Sequence, residues 1–267
     1  MTILVTGATG NIGRKVVDHL LAGGATRVRA LTTNPAKAAL PEGVEVARGY
    51  LGRVSSLPAA FEGVERMYLA PLLETVDEVV ALAREAGVRH IVDLSGDEST
   101  DWQPIAKAVE GSGADWTHLY TGEFAENATI WAEQIKASDV IREGYPEAGN
   151  APITMDDIAR VAADVLLSEG HSHKIYELTG PETITRADKI RQIGAALGRD
   201  LTVEHVSREE AVAILQPMMG EYAEWYLDGM QSMVDHPQRA TTTVADVTGE
   251  PATSFAQWAR DNVDAFR

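Results

Sequence analysis

Cysteine is absent from the 267 residues. Its absence removes disulfides, thiolate nucleophiles and the clustered Cys/His sets that hold structural zinc. Long apolar runs are missing too, since no stretch approaches the ~18 residues that would span a bilayer. A basic segment followed by an apolar one is also lacking at the start, so no signal peptide is read and a cytoplasmic location is expected. Basic residues are scarce: 23 Lys and Arg stand against 40 Asp and Glu, a formal net charge of −17. Such a surface repels phosphate backbones and anionic lipid, which argues against nucleic-acid and membrane partners. No internal repeat or low-complexity tract is visible. With 45% hydrophobic and 24% charged residues, the composition is that of a globular protein. Its length suits one large α/β domain, or one domain with a smaller appendage.

The most informative stretch is the first. Ile3, Leu4 and Val5 read as a short, fully buried strand. Glycines follow at Gly7, Gly10 and Gly13, and then Ile12, Val16, Val17, Leu20 and Leu21 recur at helical spacing. Strand, glycine turn and amphipathic helix make the first unit of a dinucleotide-binding fold. Gly7 allows the tight turn, Gly10 lets a pyrophosphate approach the backbone, and Gly13 lets helix and strand pack closely. The anion would sit on free N–H groups at the helix N-terminus, so Thr9, Asn11, Ile12 and Arg14 join the glycines as candidate cofactor contacts. The alternative is a glycine turn kept for packing alone.

Strand and helix patterns then alternate through the first 120 residues, which predicts an α/β fold with a doubly wound parallel sheet. Strands are expected at 28–31, 44–47, 66–70, 90–94 and 115–119, and helices near 55–61, 75–86 and 105–110. A short helix carries Lys37, and Ser55 or Ser56 is placed near the cap of the next. Ligands of such sheets sit at the carboxyl ends of the strands. One rim would therefore gather the glycine loop, Thr32, Thr33, Asn34, Ala70, Pro71, Leu72, Ser95, Gly96, Asp97 and Glu98. Further on, helices are expected at 123–138, 155–167, 185–197 and 207–215, with strands at 174–179 and 201–206. Thr185 and Asp188 suggest a reciprocal cap. The stretch 221–233 is rich in Met and aromatic residues, fitting core or a substrate lid. We expect a dinucleotide-binding, Rossmann-like part over residues 1–150. A smaller, mostly helical substrate-binding part over 151–267 would pack on it.

The chain resembles the NmrA-like family of atypical short-chain dehydrogenases. The likeness runs through Val5-Thr-Gly-Ala-Thr-Gly-Asn-Ile-Gly-Arg14, Val28-Arg-Ala-Leu-Thr32, Ala86-Gly-Val-Arg-His-Ile-Val92 and Gly122-Glu-Phe-Ala-Glu-Asn127. It continues through Tyr176-Glu-Leu-Thr-Gly-Pro181 and Val247-Thr-Gly-Glu-Pro-Ala-Thr-Ser-Phe-Ala-Gln-Trp258. The resemblance implies NAD(P) binding and either reductase activity or redox sensing without turnover.

Departures from the family pattern are informative. Many members carry Arg after the second strand, able to grip a 2′-phosphate in a fork. Here Thr33 stands there, and no acid replaces it to hold a ribose. Arg14 and Lys37 are the remaining candidate cations, leaning the expectation to NADP with NAD as the alternative; both also read as solvated surface residues. Gly49-Tyr50 replaces the family's Gly-Asp, and Tyr50 is a candidate stacking partner for the adenine.

No Tyr-x-x-x-Lys pair follows the fifth strand. Lys107 and Tyr120 are the candidate catalytic acids; their alternatives are a surface residue and a structural hydrogen bond. His118 reads as a satisfied core histidine. His171 and His173 lie in a loop without further ligands, so no metal is expected. Trp102, Phe124, Asn127 and Trp131 are candidate substrate contacts, with Leu72, Tyr120 and the 221–233 stretch in the same pocket. The function expected is an NAD(P)H-dependent reductase of a small quinone, carbonyl or imine-like substrate, acting as a monomer or homodimer. The alternatives are a cofactor-independent biosynthetic enzyme on a reused fold and a non-catalytic dinucleotide sensor.

Overall fold

The computed structural model describes all residues from Met1 to Arg267. In chain order its elements are β1 (Ile3–Val5), α1 (Asn11–Ala22), β2 (Val28–Thr32), β3 (Glu45–Arg48), α2 (Pro58–Phe61), β4 (Arg66–Leu69), α3 (Val76–Glu85), β5 (His90–Ser95), α4 (Gln103–Glu110) and β6 (Asp115–Thr121). There follow α5 (Ala132–Ala137), β7 (Val140–Glu143), β8 (Gly149–Asn150), α6 (Met155–Leu167), β9 (Lys174–Leu178), β10 (Ile184–Thr185), α7 (Arg186–Leu197), β11 (Thr202–His205), α8 (Arg208–Met219), α9 (Tyr222–Asp235), α10 (Thr243–Thr248) and α11 (Phe255–Asp261). Short 3-10 turns cover Pro35–Lys37, Val54–Ser56, Leu73–Thr75, Ala125–Trp131 and Val263–Phe266.

These elements form two compact units, and the chain passes between them more than once. The first holds Met1–Thr121, Met155–Leu178 and Thr243–Glu250; the second holds Gly122–Thr154, Thr179–Thr242 and Pro251–Arg267. The division is thus not the linear one at residue 150. Helix α6 and strand β9, from the later half of the chain, complete the first unit. They do so because β9 pairs in parallel with β6, Leu119 opposite Tyr176.

The first unit is a seven-stranded parallel sheet in the order β3-β2-β1-β4-β5-β6-β9. Chain reversal beside β1 is the doubly wound pattern. Helices α1, α6 and α10 cover one face and α2, α3 and α4 the other. Two covered faces explain why Ile3, Leu4 and Val5 are all buried and read as a continuous apolar run. On the α2–α4 face, Leu4, Met67, Leu69 and Ile91 meet Phe61, Val79, Val80, Ile105 and Val109. Helix α3 stops as expected, at Gly87 with φ of +85°. Arg66 is buried and donates to the carbonyls of Leu166 (2.9 Å) and Ser168 (2.6 Å), answering the open C-terminal end of α6. Where a cap by Ser55 or Ser56 was expected, α2 has Leu57 at its N-cap; Ser56 is occupied by the Arg53 carbonyl at 2.7 Å.

The second unit is built from short elements. β7 and β11 pair in parallel and β8 and β10 pair antiparallel. Ile135, Ile141, Ile190, Ile193, Phe255, Trp258 and Phe266 form its main core. The Thr185–Asp188 cap is present in both directions, and Ser207 with Glu210 repeats it on α8. Both satisfy backbone N–H groups that a helix start leaves open. The Met-rich stretch is α9: Ala223, Leu227 and Met230 are buried, while Tyr222 and Trp225 are exposed.

The second unit holds a cluster of buried ion pairs. Arg186 donates from Nη2 to Glu143 (2.8 Å) and from Nη1 to the Tyr226 hydroxyl (2.8 Å), with its guanidinium 4.7 Å from the Trp131 ring centre. Lys189 Nζ reaches Glu123 and Asn150, each at 2.5 Å. Burial alone would raise the Glu123 and Glu143 carboxyls. Lys189 and Arg186 outweigh it at Glu123, and Arg186 at Glu143, so both lie below the ordinary range. Burial likewise holds the Lys189 ammonium below its ordinary value, against the pull of Glu123.

Candidate functional site

Because all seven strands run parallel, their carboxyl ends share one edge of the first unit. The glycine loop leaves β1 there. Gly7 has φ of +59°, and a Cβ on it would stand 2.9 Å from the Ala70 Cβ, so the turn passes directly over the end of β4. Thr6 ties the two together, donating to the Tyr68 carbonyl (3.0 Å) and accepting from the Ala70 N–H (2.8 Å). A Cβ on Gly13 would fall 2.2 Å from the Gly7 carbonyl oxygen, so only glycine permits this helix to start so near the strand. Helix α1 begins at Gly10 with no side chain capping it and no acid in its first turn. The N–H groups of Asn11, Ile12 and Gly13 are thereby left for an anion, which fits a pyrophosphate.

The neighbouring strand ends supply the rest of one wall. Thr33, Arg48, Gly49, Tyr50, Arg53 and Ser56 line an open cavity of about 340 Å³ beside the ends of β2 and β3. Tyr50 is half exposed, and its ring lies across Gly52, where a Cβ would meet it at 2.6 Å. Arg48 and Arg53 are exposed, and neither guanidinium makes an ion pair or hydrogen bond within the chain. No acid is among the lining residues. Two uncommitted cations around a threonine, in a protein of net charge −17, fit a phosphate on the adenosine end of a dinucleotide. Sequence reasoning passed over both arginines, because nothing in their spacing separates them from ordinary surface residues.

The other expected cations are placed differently. Arg14 is held by Asp18 (3.2 Å) and by the Ala39 carbonyl (2.6 Å), so its donors are largely committed. Lys37 is exposed on its 3-10 turn, and Thr32 is buried with its hydroxyl accepting from the Asn34 N–H at 3.3 Å. Ala70, Pro71 and Leu72 are half-buried after β4.

Ser95 closes β5 and pairs in register with Tyr120 on β6; Gly96 follows, tight against Thr100. Tyr120 is partly exposed. Burial, reinforced by Asp93, Glu110 and Asp97, raises its hydroxyl above the ordinary value. Lys107 lies elsewhere, exposed on α4 in an open groove with Asp77, Arg84 and Glu85 of α3, among residues none of which belongs to the rim. Trp102 is exposed at the start of α4. In the second unit Phe124 is half-buried and bridges to Ile153, and Asn127 is exposed. Trp131 is buried in that unit's core with its indole N–H donating to Glu143 at 2.9 Å, so it presents no surface to a substrate.

A polar pair that the sequence did not reveal lies beneath Ser95. His118 and Asp93, opposite one another on β6 and β5, are both fully buried, with Nδ1 2.7 Å from Asp93 Oδ2. Ser95 donates to the other carboxylate oxygen of Asp93. Trp116 stacks on the imidazole at 4.2 Å between ring centres.

A strand–glycine turn–helix with an uncapped N-terminus, on a doubly wound parallel sheet, defines a dinucleotide-binding protein. The family model described as NAD(P)H-binding matches residues 7–169. The chain is 32% identical to (4-alkanoyl-5-oxo-2,5-dihydrofuran-3-yl)methyl phosphate reductase of Streptomyces griseus subsp. griseus, covering 99% of each. It is 30% identical to NAD(P)H azoreductase of Xenophilus azovorans, again covering 99% of each. Among solved structures, the NADPH-dependent quinone oxidoreductase of Escherichia coli complexed with NADPH superimposes with a TM-score of 0.86 at 25% identity, covering 97% of this chain and 99% of that one. The chain belongs to the NAD(P)H-binding family, and it is also similar, at 23% identity over 79% of the chain, to an NmrA-like family domain-containing oxidoreductase of Aspergillus flavus. It is an oxidoreductase of the NAD(P)H-dependent reductase class, the first of the three functions considered from sequence. No helix is long and apolar enough to cross a membrane.

Proposed function

We propose that this reductase prefers NADPH and passes hydride to a small, flat, conjugated acceptor, a quinone first and a carbonyl or imine-like compound next. The observation that carries the cofactor preference is the pair of uncommitted guanidiniums, Arg48 and Arg53, around Thr33 and Tyr50. A 2′-phosphate would receive charge-assisted hydrogen bonds there, each worth about 1.5–3 kcal/mol. Tyr50 supplies a flat ring for the adenine, and the open start of α1 takes the pyrophosphate. NADPH supplies a hydride when bound.

The chain's own residues have the simpler tasks of orientation and proton supply. Ser95 and Tyr120 stand side by side at the rim, where a hydroxyl would meet the oxygen of a reduced acceptor. The substrate class is supported by relatives named as reductases of a furanone phosphate, azo compounds and quinones. These share a conjugated acceptor that takes two electrons.

Initial rates of NADPH and NADH oxidation with a naphthoquinone, an azo dye and an aromatic ketone test the proposal. Turnover with the quinone is expected, with kcat/KM for NADPH at least about tenfold above that for NADH, as one extra charge-assisted contact implies. A protein that binds NADPH but reduces none of the three contradicts it, and equal use of both cofactors contradicts the assignment of Arg48 and Arg53.

A further inference from the structure

The turn that carries Tyr50 is anchored on both sides. Tyr50, Leu51, Gly52 and Arg53 form it, and the Arg53 N–H closes it by donating to the Tyr50 carbonyl at 2.8 Å. Leu51 is buried in the core with Leu57 and Phe61, and its carbonyl accepts from the Thr75 hydroxyl at 3.0 Å. The Ser56 hydroxyl accepts from the Tyr50 N–H at 3.1 Å and donates to the Arg53 carbonyl at 2.7 Å. The core thus holds one side of the turn and Ser56 the other, while Tyr50 and Arg53 line the open cavity beside the ends of β2 and β3.

The ring lies where a side chain at position 52 would be. A Cβ on Gly52 would stand 2.6 Å from Tyr50 Cε1, 3.0 Å from Cζ and 3.2 Å from the hydroxyl oxygen. Carbon atoms in good contact stay about 3.5–4.0 Å apart. The backbone does not itself demand glycine here, since Gly52 is not among the glycines with left-handed φ. Core packing does not demand it either: the three nearest atoms to that Cβ all belong to the far end of Tyr50. Gly49 is the contrast, because a Cβ there would press on Leu31 and Leu57 of the core. The missing side chain at 52 therefore serves Tyr50.

We infer that Gly52 is a positioning residue: by leaving room for the phenol on the turn, it presets Tyr50 as a stacking platform for the adenine of the dinucleotide. The inference rests on the placement of the adenosine end at this cavity, given above. A ring that rests on the turn and stays half exposed offers a π-face that a base can cover, whatever its edge groups. Fixing the ring in advance lowers the ordering cost that binding would otherwise carry. Stacking reads the adenine that NADPH and NADH share, whereas Arg48 and Arg53 read the phosphate that NADPH alone carries. The turn sets affinity for both dinucleotides, and the arginines set the preference between them.

The test is calorimetric titration of NADPH and of NADH into the unaltered protein, Gly52→Ala, Tyr50→Ala and the double variant. Gly52→Ala is expected to fold normally, because a half-exposed ring can swing aside. It should weaken both dinucleotides by roughly tenfold, within the range for loss of a base–aromatic stack, and Tyr50→Ala should do the same. With the ring gone the glycine has nothing to place, so adding Gly52→Ala to Tyr50→Ala should cost no more than about twofold. Losses that multiply in the double variant overturn the inference, and so does a Gly52→Ala protein that binds both dinucleotides as before. If Gly52→Ala does not fold, the unaltered protein with NADPH decides. Nuclear Overhauser contacts between the Tyr50 ring protons and adenine H2 or H8 are expected, and their absence overturns the inference. The losses are read on NADH as well as NADPH, so a failed NADPH preference is a separate result. An unaltered protein that binds neither dinucleotide contradicts the cofactor reading itself, and the role of Gly52 falls with it.

Discussion

In the second unit, Arg186 and Lys189 are buried against Glu143 and Glu123, and α7 and α8 each start with a reciprocal cap. In the first unit, α1 starts without a cap, Arg48 and Arg53 point to no partner, and His118 Nε2 makes no hydrogen bond. Both regions hold charge and both bury polar atoms. Both also leave buried side-chain atoms without a partner, Arg186 Nε, Gln192 Oε1 and Trp258 Nε1 in the second unit among them. They differ in that the second unit pairs its buried charges, whereas the first leaves the exposed cations Arg48 and Arg53 unpaired at the sheet edge. Where a charge is buried with its partner, removing that partner strands it in the fold. Groups left open at one edge of a parallel sheet cost stability and are held ready for something else.

The largest effect expected from this contrast is on stability. Arg186→Leu leaves Glu143 buried without its cation and should cost about 3–5 kcal/mol in chemical denaturation. A loss below about 1 kcal/mol would mean that the cluster is not a closed structural device.

The second effect concerns the opposite edge of the first unit. His90 opens β5, and its Nε2 lies 2.9 Å from the Thr117 hydroxyl. Burial first, then Arg66, holds its pKa down to about 4 from an ordinary 6.5. The unfolded chain therefore takes up a proton first as pH falls. Stability from a neutral His90 is full above pH about 6.5 and is lost progressively down to about 4, on the order of 2–3 kcal/mol. The difference between unaltered protein and His90→Asn, measured across that range, should carry this slope. A flat difference would mean that His90 is solvated.

Next in size is the cofactor grip. Arg48→Ala and Arg53→Ala should each weaken NADPH binding by about tenfold, with denaturation midpoints barely moved. Destabilisation by either variant would show that the arginine has a structural partner after all. The smallest effect is at a cap: Ser207→Ala should cost about 1 kcal/mol and leave cofactor affinity alone.

What could be read from the sequence was whatever is local. Gly7, Gly10 and Gly13 announce their turn because the spacing and the flanking apolar period lie within 20 residues. Thr185 and Asp188 announce their cap for the same reason. Features joining distant segments were hidden. β7 pairs with β11 across some 60 residues, and β9 joins the sheet beside β6 only after the chain has visited the second unit. The Asp93–His118 pair spans two strands, and nothing in the alternation of Trp116, His118 and Tyr120 says that an acid stands opposite. Trp131 looks like a substrate contact in sequence because aromatic residues suit pockets and cores equally. Arg48 and Arg53 became visible only through what they lack, a partner, and that is a property of the folded surface.

Calorimetric titration with NADPH and NADH, of the unaltered protein and of the Arg48→Ala/Arg53→Ala double variant, tests the contrast most directly. NADPH is expected to bind the unaltered protein at least about tenfold more tightly than NADH, and the double variant should bind the two alike. A preference for NADPH that survives loss of both arginines, or equal affinity before they are removed, would contradict it.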